Sequence, residues 1–207
     1  MKRALLSAAL LATTFAVPSV TPVPVIYPGT CTMWPNWINT RDADVTGRIM
    51  FVVSSADDSA LNDLTIQPQT STSPLFVSPF PSRKVLKMYY RCINGVPNIS
   101  LSSSNVTIAR DMANAHLLVD AAPGKAYKPE LYYHEVGGVR QEGVFLGALN
   151  QTTWGFRYQQ VSCGADGRVG EREGYEVKLL GLPVDEVNPP TAQYPPDFEG
   201  FVKVIGW

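Results

Sequence analysis

The chain has 207 residues, and its 17 lysines and arginines nearly balance its 18 aspartates and glutamates. It contains no basic stripe, which excludes nucleic acid as an expected partner, and no polybasic or amphipathic stretch of the kind that binds membrane surfaces. The length is sufficient for one domain with a substantial hydrophobic core.

Residues 1–16 have the pattern of a secretory signal peptide. Lys2 and Arg3 precede an apolar run from Ala4 to Ala16 that carries no charge and ends in small residues at the positions a signal peptidase reads. The run is too short to span a bilayer permanently, and Val202 to Trp207 form no hydrophobic tail for a lipid anchor. The sequence therefore predicts a secreted or secretory-lumen protein with no membrane anchor.

Three tripeptides match the N-glycosylation pattern. They begin at Asn98, Asn105 and Asn150, and none has proline in the middle. At least one is expected to carry a glycan. Because a glycan is bulky and hydrated, all three asparagines are expected on solvent-facing strands or turns.

Residues 17–46 are predicted to form a proline-rich extended arm on the surface of the domain. Five prolines within this stretch exclude a regular helix. Two further proline-rich segments, 67–82 and 183–196, are predicted to be long loops. Such loops are candidate rims of a functional site, because rigid scaffolds usually carry function on their loops.

Residues 47–207 are predicted to form a single all-β domain, because apolar residues recur there with a period of two. Turn dipeptides such as Asn94-Gly95 and Gly137-Gly138 separate the strands. Only Asp57 to Leu64 has a helical pattern. An antiparallel β-sandwich of jelly-roll type is favoured, and a calycin-like β-barrel is the alternative. Strands are predicted at 48–53, 84–93, 98–109 (two short strands or one bent strand), 116–120, 130–136, 143–149, 153–163, 175–182 and 198–205.

The three cysteines predict one intrachain disulfide and one unpaired thiol. Cys92 shares the inward face of its strand with Tyr90, so it is expected to be the buried free thiol. Cys31 lies in the arm, where a crosslink would hold a loose segment, and Cys163 ends a strand on the opposite face from Trp154. This parity favours a bridge between Cys31 and Cys163.

Motifs for catalysis or metal binding are absent from the sequence. There is no G-x-S-x-G elbow, no H-E-x-x-H helix, no cupin H-x-H element and no zinc-type cysteine spacing. The two histidines, His116 and His134, are not brought together by any recognisable pattern, and the strand carboxylates mostly take polar faces. The sequence therefore assigns no catalytic residue and predicts no metal and no cofactor.

Aromatic side chains give the one pattern in the sequence that indicates a possible binding site. Trp154 and Tyr158 share a strand face with Phe156, and Tyr132 shares a face with His134. If these faces converge, they line an apolar pocket with a few hydrogen-bonding tips, as small-ligand sites do. Ordinary core packing is the alternative explanation. The predicted pocket residues are Tyr90, Tyr132, His134, Trp154 and Tyr158, with Trp34 and Trp37 closing the pocket from the arm.

Two main function classes fit these features. The first is a secreted, glycosylated binding protein whose pocket takes an apolar small molecule or a glycan. The second is a cofactor-independent cyclase of natural products, of the hetero-Diels–Alderase type, which acts by orienting its substrate. A hydrolase with dispersed catalytic residues has less support. The sequence leaves open whether the protein is an enzyme, and it does not predict an oligomeric state.

Overall fold

A computed structural model of the chain describes residues 16–25, 29–40, 43–68, 75–77, 89–100, 104–109, 118–119, 126–159, 174–182 and 195–207. The first 15 residues, His116, Cys163 and the segment 183–194 lie outside these ranges, so the predictions made for them concern residues that the structure does not describe. Within the described ranges, no helix has the length and apolar character needed to cross a membrane.

The described residues form short strands with one 3-10 turn, which confirms the all-β prediction. The turn, Ser59–Leu61, falls inside the predicted helical segment and is capped by the Asp58 carboxylate, which accepts a hydrogen bond from the Ala60 amide at 2.9 Å. The strands are β1 (Thr21–Pro24), β2 (Trp37–Thr40), β3 (Ala43–Thr46), β4 (Ile49–Ser54), β5 (Ile66–Pro68), β6 (Leu75–Val77), β7 (Tyr90–Ile93), β8 (Val96–Ile99), β9 (Thr107–Ala109), β10 (Leu118–Val119), β11 (Ala126–Tyr127), β12 (Glu130–Val136), β13 (Val139–Arg140), β14 (Val144–Gly147), β15 (Thr153–Gln159), β16 (Gly174–Leu179) and β17 (Phe198–Gly206).

Fourteen of these strands belong to one large antiparallel sheet. Its main path runs β2-β3-β7-β4-β17-β15-β16-β6-β5. Off this path, β14 joins β12 to β17, β1 and β13 pair with β12, and β8 pairs with β7. A small second sheet has the order β10-β9-β11. The described strands do not close into a complete barrel, which is consistent with the predicted β-sandwich.

β14 and β15 run one after the other along the same edge of β17. Phe145 pairs with Lys203 and Thr153 pairs with Phe201. The two strands therefore pair with successive parts of β17, and the chain leaves this edge between them. The interruption is a two-residue turn at Leu149 and Asn150, whose φ angles are 51° and 61°. Two positive φ angles in succession are typical of a type I′ hairpin turn.

The strands β12, β14 and β17 have apolar side chains on both faces. Leu131, Leu146 and Val202 face the main core, which also contains Trp154. The residues that alternate with them point to the other side and form a separate group, which we call the outer aromatic cluster: His134, Phe145 and Phe201. The two faces explain why the predicted aromatic residues do not all meet.

The segment predicted as an arm contributes the strands β1, β2 and β3. Its prolines are compatible with this because, among the described strands, β1 pairs only with β12, and an edge strand tolerates residues that lack an amide hydrogen. The predicted loop at 67–82 is wrong at Leu75–Val77, which is a buried strand between β5 and β16. Three residues inside a proline-rich stretch are too few to show a period of two.

The predicted disulfide is also wrong. Cys31 pairs with Cys92, with their Cα atoms 5.6 Å apart, so Cys92 is buried as expected but is not a free thiol. The arm passes directly over the β7–β8 hairpin, where the Cys31 amide donates to the Asp44 carboxylate at 2.8 Å and the Gly95 amide donates to the Cys31 sulfur at 3.2 Å. A Cβ atom on Gly95 would lie 2.0 Å from the Gly29 carbonyl oxygen, so this close approach requires glycine.

Candidate ligand-binding cavity

A cavity of about 490 Å³ lies between the arm and the start of β12. This volume is within the range of small-ligand sites, roughly 300–1,000 Å³. Most of its wall is apolar, and its polar groups come from a lysine, a glutamate, a tyrosine, a threonine and an asparagine. The lining residues are Pro24, Val25, Gly29, Thr30, Trp34, Gly95, Lys128, Pro129, Glu130, Leu131, Tyr132, Leu149 and Asn150.

The arm wall is held in place by backbone pairing and by the disulfide. Pro24 pairs with Tyr132 in the β1–β12 ladder, and the Val25 amide donates to the Leu131 carbonyl at 3.1 Å. Farther along, the Trp34 amide donates to the Cys31 carbonyl at 2.9 Å, which places the indole one turn after the crosslinked cysteine. Since both ends of this wall are tied to the sheet, the cavity is largely preformed.

The opposite lip is the Leu149–Asn150 turn, which Tyr132 fastens to β12. The Tyr132 hydroxyl accepts a hydrogen bond from the Asn150 amide at 3.0 Å and donates one to Glu130 Oε2 at 2.6 Å. Burial and the neighbouring Glu130 raise the pKa of Tyr132. The hydroxyl is therefore protonated over the physiological range, as its bond to Glu130 requires.

A second side chain of β12 holds the far end of the same turn. His134 Nε2 and Thr152 Oγ1 share a hydrogen bond of 2.9 Å. The imidazole stacks on Phe145 with ring centres 3.8 Å apart and meets the Phe201 ring at 4.4 Å. Burial in this apolar surrounding lowers the pKa of His134 to about 4, so the ring is neutral at neutral pH.

The structure brings two of the seven predicted pocket residues, Trp34 and Tyr132, to the cavity. Tyr90 and Trp154 are fully buried in the main core, where their polar atoms donate to the Ile66 and Leu146 carbonyls at 2.7 and 2.8 Å. The other three residues lie elsewhere: His134 is in the outer aromatic cluster, and Trp37 and Tyr158 are each 38% exposed.

Several lining residues were not identified from the sequence. Val25 and Pro129 lie in irregular segments, and the cavity forms only because the arm docks on β12, which is a long-range contact. Glu130 is one of the strand carboxylates for which the sequence pattern predicts a solvated, polar face. A signal for the lip does exist, because an asparagine between the apolar strands β14 and β15 is typical of a hairpin turn.

The three glycosylation acceptors differ in exposure. Asn105 and Asn150 are exposed. Asn98 is only 8% exposed, and its side-chain nitrogen donates to the Val96 carbonyl at 2.8 Å, so the expectation that all three face solvent is wrong for Asn98.

The described part of the chain gathers no group of three or more histidine, cysteine, aspartate or glutamate side chains that could hold a metal ion. What the cavity offers chemically is an apolar surface, one tyrosine hydroxyl, the polar groups of Thr30 and Asn150, and two opposite charges. Comparison with known proteins finds no family model and no curated sequence that matches this chain.

Proposed function

We propose that this chain is a secreted glycoprotein that binds an apolar small molecule in the cavity between the arm and β12. The observation that carries the proposal is the cavity itself, about 490 Å³ in volume and walled by Trp34, Leu131 and Tyr132. Burying a ligand against such a wall is favourable because apolar surface leaves water. A glycan is less well suited, since most of the cavity wall is apolar.

Secretion is supported by the disulfide between Cys31 and Cys92, because such bonds persist in oxidising compartments. It also agrees with the signal-peptide pattern of residues 1–16. Glycosylation is proposed at Asn105 and Asn150, whose side chains are exposed.

The glycan sites can be tested by mass spectrometry of protein secreted from a eukaryotic host. We expect a glycosidase-sensitive mass on Asn150 that Asn150→Gln removes, whereas Asn98→Gln leaves the glycan mass unchanged. A glycan on Asn98 would contradict the inference that burial of this side chain prevents its glycosylation.

The binding proposal can be tested with a neutral, environment-sensitive probe such as N-phenyl-1-naphthylamine. We expect its fluorescence to rise on binding and the melting temperature to rise with probe concentration, by mass action. Val25→Phe should weaken binding at least tenfold because the added ring fills the cavity. Val139→Phe is the matched control, since Val139 is 65% exposed and does not line the cavity.

Trp34→Leu provides a second variant in case Val25→Phe disturbs the arm. It removes aromatic surface from the wall and should also weaken the probe. Binding that is absent in the parent chain, or unchanged in both cavity variants, would refute the proposal.

A cofactor-independent cyclase is the second candidate, and the position of Tyr132 favours it. Its protonated hydroxyl lies on an apolar wall beside Glu130, where a substrate carbonyl can compete for its hydrogen bond. The test is incubation with conjugated dienes tethered to a carbonyl group. Turnover that Tyr132→Phe slows without loss of probe affinity would support the cyclase. The absence of turnover would reject the cyclase and favour the binding protein.

A further inference from the structure

Lys128 places a positive charge at the cavity with no partner in the described part of the chain. It lies between β11 and β12 and is exposed. A Cβ atom on Gly29 would lie 3.9 Å from the Lys128 ammonium nitrogen, so the side chain reaches from the β12 wall towards the arm wall. Neither an ion pair nor a hydrogen bond joins Lys128 to another described residue.

Glu130 does not neutralise this charge by direct contact. Its carboxylate accepts the hydrogen bond from the Tyr132 hydroxyl, which is itself fixed by the Asn150 amide. The negative charge is therefore directed along the β12 wall towards the lip, whereas the ammonium group faces the arm. The two charges lie on the same wall, two residues apart, and among the described residues the carboxylate has a hydrogen-bond partner whereas the ammonium group has none.

We propose that the cavity selects an apolar molecule with one anionic headgroup, such as a carboxylic acid, whose headgroup pairs with Lys128. The apolar body lies against Trp34 and Leu131, as the proposed function requires, so this inference rests on that function. A second negative charge on the ligand is disfavoured by Glu130. An ammonium ion pairs with carboxylates, sulfates and phosphates as a point charge, so the common feature is a single anionic head.

A set of ligands with the same alkyl chain and different headgroups tests the inference. Decanoic acid, decyl sulfate, 1-decanol and decylamine are compared by displacement of the neutral probe at pH 7.5 and low salt. We expect both anions to bind about tenfold more tightly than the alcohol, which corresponds to about 1.4 kcal/mol. The preference should shrink as salt is added, because the pair is solvent-accessible.

Variants assign the effect to one side chain. Lys128→Met should abolish the preference for the two anions over 1-decanol, a ratio that is measured within the variant and therefore allows for any change in neutral affinity. Lys178→Met, on β16, removes a lysine that does not line the cavity and should keep the anion preference of the parent chain.

The outcomes separate the two proposals. If neither the probe nor 1-decanol binds, the proposed function fails and this inference fails with it. If the neutral ligands bind but the anions bind no better, or if decylamine binds best, only the anionic specificity is overturned. An anion preference that persists in Lys128→Met also overturns it, because another group would then supply the charge.

Discussion

Acid should destabilise this fold through His134, because its imidazole is buried in the neutral form. Burial lowers its pKa to about 4, whereas an unfolded chain has a histidine pKa of about 6.5. Between these pH values the unfolded chain binds a proton that the folded chain does not. The free energy of unfolding therefore falls as the pH falls through this window, and above it the residue contributes no pH dependence.

The size of the effect follows from the two pKa values. Their difference corresponds to about 3 kcal/mol once the pH is below both, and about 2 kcal/mol of this is lost between pH 7.5 and pH 5. This is a substantial part of the roughly 5–15 kcal/mol by which folded domains are stable. Other groups titrate in the same range, so a variant that removes only the imidazole is needed.

His134→Gln is that variant, because glutamine can keep a hydrogen bond to Thr152 and does not titrate. It should be less stable than the parent chain at pH 7.5, since the stack on Phe145 is lost. Urea unfolding at pH 7.5 and pH 5 should then show a pH-dependent loss about 2 kcal/mol smaller than in the parent chain. Equal losses in the two proteins, or a His134 resonance that titrates near pH 6.5 by NMR, would refute the reasoning.

Two further predictions concern the docking of the arm. Replacing Cys31 and Cys92 together by serine removes a crosslink with a sequence separation of 61. The loop-entropy relation predicts that the free energy of unfolding falls by about 4 kcal/mol, which thermal unfolding measures. A non-reduced peptide that joins Cys163 to either cysteine would contradict the pairing. Gly95→Ala should cost several times more than Gly138→Ala in urea unfolding, because both positions have positive φ but only a Cβ on Gly95 meets the Gly29 backbone, at 2.0 Å. Similar losses of stability in the two variants would contradict this reasoning, because the arm would then move away from the added Cβ at no cost.

Strands with an uninterrupted period of two could be predicted from the sequence. β12 occupies the predicted residues, Glu130–Val136, and the turns at Asn94-Gly95 and Gly137-Gly138 have the positive φ angles that their sequences favour. In each of these cases the relevant interactions are local. The inward direction of Cys92 and Tyr90 was predicted correctly for the same reason.

The cavity and the disulfide could not be predicted, because both depend on which strands become neighbours. Parity shows which residues share a strand face with Trp154 or with Tyr132, but it does not show that these two faces lie on opposite sides of one sheet. The contact of Cys31 with Cys92 likewise requires the arm to lie on the β7–β8 hairpin. Sequence patterns show which residues share one face of a strand, whereas this cavity depends on which distant strands pair with one another.

The Leu149–Asn150 turn interrupts the path along β17 at a point where the chain can change in length. Ala148 and Gln151 close the turn by exchanging two backbone hydrogen bonds, of 3.0 and 2.9 Å, so the pairing of β14 and β15 with β17 does not depend on the number of residues between them. Insertions at this point would be accommodated with a small entropic cost and no shift of register. Homologous chains could therefore reshape the lip of the cavity, and with it the ligand, while the rest of the sheet stays the same.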